Sequence, residues 1–169
     1  MKTLTCAIVA AGGLLVADTT TAEITSTTGG GGGLDCTGAT LSQGVIWPPD
    51  HKMVAETIMG VTTDPYLTLT ISIVGIYQDE PVNTLGSGNT APDGMIVSAT
   101  STTPSTAYVR AERAGPGTGR IYFITFTATD GVSTCSPTTP LQAIVPHDQG
   151  QGYAPIDTGV KYDSTVVPP

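Results

Sequence analysis

Asp79, Glu80, Asn89 and Asp93 are the residues of this chain whose types and spacing point most directly to chemistry. Carboxylate and amide oxygens supplied by one loop are the hard ligands that Ca²⁺ prefers, so these four form a candidate calcium site, and no other cofactor is indicated. Two histidines, His51 and His147, offer a second kind of chemistry. Zinc needs three or four ligands of suitable type, and these two have no cysteine to join them. For acid–base work Asp79 and Glu80 are poorly placed, because neighbours on an extended chain point to opposite sides. The sequence has no Gly-x-Ser-x-Gly elbow, no Walker loop and no His-Glu-x-x-His motif. The glycines of Gly115–Gly119 lack a strand–loop–helix context and read as a turn. No catalytic residue is therefore assigned.

The compartment follows from the first residues. Lys2 precedes an apolar run from Leu4 to Ala17, and Thr20-Thr21-Ala22 provides small residues before Glu23. This is the pattern of a secretory signal peptide over residues 1–22. The run is shorter than the roughly 20 residues a membrane span needs, so membrane insertion is not expected. Cys6 leaves with the signal, which keeps Cys36 and Cys135 as an even pair in an exported chain and predicts one disulfide. Only 12% of residues are charged, and six Lys and Arg oppose fourteen Asp and Glu for a net charge of −8. A phosphate-binding surface needs clustered cations, which excludes nucleic acid and anionic membranes as expected partners.

The elements that must position these residues are strands. Leu67, Leu69, Ile71 and Ile73 alternate with Thr68, Thr70 and Ser72, and Tyr122, Ile124, Phe126 and Ala128 alternate with Phe123, Thr125 and Thr127. Period-two alternation marks a half-buried strand. Further strands are expected at 43–47, 53–61, 95–99, 106–113 and 141–145, separated by Pro, Asp and Gly turns. Seven short strands over one domain's length predict an all-β sandwich of the immunoglobulin or fibronectin type III kind over residues 34–149. Tyr122, at the start of the sixth strand, falls where such folds place a tyrosine corner. The Thr/Gly tract at 23–33 reads as a flexible tether, and residues 150–169 as a loosely ordered tail.

With strands running alternately up and down, the polar segments converge. Asp50 and His51, the 78–93 stretch, Arg110, Glu112, Arg113 and Arg120, and His147 with Asp148 all fall at one pole of the sandwich. Three readings are open at this pole. Arginine forks clamping carboxylates would make a structural network. The 79–93 oxygens would hold Ca²⁺. The histidines would serve a ligand or catalytic site. Cys36 and Cys135 fall at the opposite pole, which brings them together.

Several motifs combine into a recurring pattern: Gly44-Val45-Ile46-Trp47-Pro48-Pro49-Asp50-His51-Lys52-Met53, Gln78-Asp79-Glu80-Pro81-Val82-Asn83, Asn89-Thr90-Ala91-Pro92-Asp93, Val109–Arg113, Gly119–Tyr122 and Val145–Asp148. Residues 34–149 thereby resemble the immunoglobulin-like, hyalin-repeat-type modules of large secreted bacterial proteins. The resemblance implies a sandwich and secretion, and no activity. Two positions depart from it. The Asp-rich stretch after the second strand is reduced to Thr63-Asp64-Pro65-Tyr66, and an acidic turn reads Gly86-Ser87-Gly88-Asn89, which removes carboxylates from any calcium site. The expected function is a secreted, non-enzymatic binding or structural module, in adhesion or matrix association, whose partner is an extracellular protein or glycan. The alternative is a carbohydrate-binding or accessory module, with calcium as an optional stabiliser, working beside polysaccharide-degrading enzymes.

Overall fold

The computed structural model describes residues 32–83, 86–100, 104–149 and 154–167. The expected signal peptide and most of the expected tether lie outside these residues. The described chain is all-β. Nine strands are β1 (Thr40–Leu41), β2 (Met53–Met59), β3 (Thr70–Gln78), β4 (Gly94–Val97), β5 (Thr106–Arg110), β6 (Gly119–Thr129), β7 (Thr134–Cys135), β8 (Leu141–Pro146) and β9 (Tyr162–Asp163). They form two antiparallel sheets. One has the order β1-β2-β5-β4, and the other has the order β7-β6-β3-β9 with β8 also paired to β6. The inward alternation of β6 supplies much of the core: Tyr122, Ile124, Phe126 and Ala128 are buried and pack with Ile73, Ile76, Val109 and Val145.

The third strand differs from its expected span. Leu67 and Leu69 sit in the preceding loop, where Asp64 caps a turn by accepting the Tyr66 N–H at 2.9 Å and the Leu67 N–H, through its carbonyl, at 3.0 Å. The strand runs on to Gln78 through a bulge, because Ile73 pairs with Phe126 and Gly75 with Thr125. One extra residue reverses the inside–outside alternation. Val74 and Tyr77 therefore face out, while Ile76 and Gln78 are buried.

The expected strand at 43–47 is also replaced. Glu56, on the inward face of β2 and fully buried, accepts hydrogen bonds from Ser42 Oγ (2.9 Å), Gln43 N (2.9 Å) and Gly44 N (3.2 Å). Those bonds pull the chain out of the β2 ladder. It crosses to the second sheet, where Ile144 N donates to Gly44 O and Ile46 N donates to Ile144 O, both at 2.8 Å.

Residues 154–167 correct the expectation of a loose tail. They form a strap over the outer face of the second sheet. Ile156 N donates to Thr118 Oγ1 (3.0 Å), Thr158 Oγ1 donates to Asp79 O (3.2 Å), and the Lys161 ammonium lies 3.9 Å from the Phe123 ring centroid. Phe123 is consequently buried although it points away from the core. Beyond β9, Ser164 N donates to Ile76 O, while Ser164 O accepts from Asp93 N and Gly94 N. One residue thus joins an edge of each sheet. This junction tolerates no added side chain at Gly94, where a Cβ would lie 2.8 Å from Ser164 Cβ and 3.2 Å from Ile76 Cγ2. Gly94→Ala is expected to cost about 1–3 kcal/mol, the usual penalty of overpacking, read as a lowered urea midpoint.

Candidate functional site

The sandwich brings three connections and the end of β8 to one pole, and Arg120 stands at their centre. It is fully buried at the start of β6. Its Nε donates to Glu80 Oε2 at 2.9 Å and its Nη1 to Asp93 Oδ2 at 2.8 Å, with Nη2 3.7 Å from Glu112 Oε1. Arg110 reinforces it from β5. Its Nε lies 3.4 Å from Asp93 Oδ1 and 3.9 Å from Glu112 Oε2, and its two Nη groups donate to the carbonyls of His51 (3.0 Å) and Pro92 (2.6 Å). Gln78, turned inward by the β3 bulge, donates to Asp93 Oδ2 and to the Glu80 carbonyl, both at 2.9 Å.

His51 adds a pin from the β1–β2 connection. Its Nδ1 lies 3.0 Å from Glu112 Oε2. An ionised carboxylate only accepts, so the imidazole carries its proton on Nδ1. Thr90 donates to the same carboxylate oxygen. The ring packs against Gly88, where a Cβ would fall 2.5 Å from His51 Cε1, so only glycine fits that turn. Below, Tyr122 Oη donates to the Arg110 carbonyl at 2.8 Å and lies 3.1 Å from Arg120 Nη1.

The electrostatics are those of a closed clasp. Glu80, Asp93 and Glu112 oppose Arg110 and Arg120. Burial by itself would lower the Arg120 pKa, yet Tyr122 and the Asp93 and Glu80 carboxylates outweigh it and raise the pKa above its ordinary value. Burial pushes the Tyr122 hydroxyl well up, only partly offset by Arg120. Both groups therefore hold one protonation state at all physiological pH.

The calcium site is corrected. Glu80 and Asp93 face a guanidinium, so the cation they neutralise is Arg120. Asp79 belongs to the ladder instead, accepting the Ile121 N–H at 2.9 Å, and Asn89 occupies a left-handed turn at φ 56°. Among the described residues no group of three or more His, Cys, Asp or Glu is arranged to hold a metal ion. Other expected members are peripheral. Asp50 pairs with exposed Lys52 at 2.6 Å, Arg113 Nε donates to the His147 carbonyl at 3.1 Å, and the His147 ring contacts Gly115 O (3.1 Å) and Asp148 (3.3 Å). His51 and His147 thus serve separate contacts.

No protein-family model, curated protein or solved structure matches the chain.

At the opposite pole Cys36 and Cys135 are disulfide-bonded with Cα atoms 6.2 Å apart, 99 residues distant in sequence. Sequence reasoning did not single out Glu56, Thr90 or Ser164. Glu56 carried a readable signal, a carboxylate at the inward register between Val54 and Ile58; Ser164 carried none.

Asp79 yields a pH prediction. Burial raises its carboxyl pKa, against the pull of the Ile121 N–H. A folded-state pKa above the unfolded value of about 3.9 means the native state holds the proton more tightly, so this group's contribution to stability falls as pH rises through that window. Asp79→Asn keeps the acceptor and removes the titration. In thermal melts taken at increasing pH above about 4, the midpoint of the variant should gain on that of the parent.

Proposed function

We propose that the chain is a secreted, non-enzymatic module of immunoglobulin-like type that binds or spaces partners at the cell exterior. The observation that carries this reading is the burial of Arg120, Asp93 and Glu112, with no solvent-accessible surface on any of the three. These three charged groups are engaged in holding loops together and present no surface to a substrate. Two further features support the immunoglobulin-like type. With β1 to β6 lettered A to F, β8 lettered G, and the two-residue β7 and β9 left unlettered, β1, β2, β5 and β4 form an A-B-E-D sheet, and β3, β6 and β8 supply C, F and G of the other, which is the constant-type partition. Tyr122, near the start of β6 where such folds set a tyrosine corner, bonds back across the β5–β6 connection to the Arg110 carbonyl, 12 residues upstream. The disulfide supports an oxidising compartment.

The test is export of the full chain from a secreting bacterial host. The expected product begins at Glu23, weighs two hydrogens less than its reduced form, and is retained on the cell surface or matrix fraction. A full-length cytoplasmic protein with all three cysteines, Cys6, Cys36 and Cys135, as free thiols overturns the reading.

A further inference from the structure

The pole opposite the clasp is built differently. In the β2–β3 loop the Asp64-capped turn projects Tyr66, which is 95% exposed, beside Leu67 at 38%. In the β6–β7 turn Asp130 accepts from Val132 N (2.9 Å) and Ser133 N (2.7 Å) and projects Val132 at 78% exposure. The two loops are tied together, because Thr63 Oγ1 donates to Asp130 Oδ2 at 2.8 Å. The first is also tied to the N-terminal segment by the paired bonds between Asp35 and Thr62, at 2.8 and 3.0 Å, and the disulfide anchors that segment to β7. An aromatic and two aliphatic side chains are thus held in solvent on turns that have lost their freedom in advance, and pre-organisation of this kind lowers the cost of binding.

Charge selects the partner. The five described cations, Lys52, Arg110, Arg113, Arg120 and Lys161, all belong to the clasp pole or the strap. The opposite pole carries Asp35, Asp64 and Asp130 and, among the described residues, no Lys or Arg. Hydrogen bonds from Thr37 to Asp35, and from Ser133, Val132 and Thr63 to Asp130, hold these two carboxyls below the usual range, so the pole stays anionic well into acid.

We infer that the Tyr66–Leu67 and Val132 turns form a docking surface for a protein segment that presents apolar side chains flanked by lysine or arginine. A second copy of this chain fits poorly, since its own matching pole repeats the same negative charge. The inference rests on the reading of the chain as a binding module and names the surface and partner chemistry.

The test is selection of a random displayed 12-residue peptide library on the intact, disulfide-bonded protein, with Tyr66→Ser and Val132→Ser as comparison baits. Both side chains are exposed, so the melting temperatures of the variants should match the parent. The expected winners carry net positive charge around apolar residues, bind the parent at least tenfold more tightly than either variant, and weaken as NaCl rises from 50 to 300 mM. Absence of enrichment, winners without cationic bias, or equal binding to the variants overturns the inference. The export assay is independent of this result, so the failure of either reading is visible separately.

Discussion

Replacing Arg120 by methionine is expected to remove about 3–5 kcal/mol of folding stability, the range for deleting one partner of a buried ion pair. The guanidinium lies between Glu80, Asp93 and Glu112, and the last two have no exposure to solvent. Without it two carboxylates remain buried with only Arg110 and the donors of Gln78, Thr90 and His51 to meet them. Against a typical domain stability of about 5–15 kcal/mol this is a large share, and urea unfolding followed by circular dichroism will read it. Arg120→Lys separates charge from geometry. An ammonium is a point charge that cannot span the carboxylates as the planar fork does, so only part of the loss should be recovered. Arg110→Met should cost less, because the side chain is 16% exposed and the carboxylates keep Arg120. Equal losses for the two arginines, or a cost below about 1 kcal/mol for Arg120, which is the scale of surface pairs, would refute the clasp as a structural device.

Loss of the disulfide is expected to be comparably severe. The bond between Cys36 and Cys135 closes a loop of 99 residues. In the chain-entropy account a loop of that length restricts the unfolded ensemble by about 4–5 kcal/mol. The Cys36→Ala, Cys135→Ala double variant should lower stability by that amount and raise the urea m-value, because the unlinked chain exposes more surface when unfolded. Alanine suits Cys36, which is buried against the core. Reduction of the parent should reproduce the variant. An unchanged urea midpoint on reduction would show that the bond does not constrain the unfolded chain. The two perturbations lie at opposite poles and share no contact, so their costs should add.

Part of this architecture was readable from residue order. Period-two alternation located β6 and the start of β3's inward set, and the turn residues separated strands well enough to predict an all-β sandwich. Strand direction, which alternates in an antiparallel sandwich, was sufficient to place Cys36 beside Cys135 and to gather Arg110, Arg120, Glu112 and Asp93 at the other end. These inferences rest on local periodicity and on parity, and both are properties of the chain itself.

Other features were decided only in three dimensions. The β3 bulge reverses which residues face the core, and its position depends on pairing with β6, so nothing in the alternation up to Ile73 announces that Gln78 points inward. Residues 154–167 have no apolar period, yet they are ordered by backbone bonds to Ile76, Asp93 and Gly94 and by Lys161 on Phe123. Their partners are supplied by other strands. The same logic decided between calcium and arginine. Asp79, Glu80, Asn89 and Asp93 have the composition of a cation site, but which cation meets Glu80 and Asp93 depends on where β6 delivers Arg120. Residue types set which charges must be neutralised, and only the packing of the two sheets determined which atoms came close enough to do it.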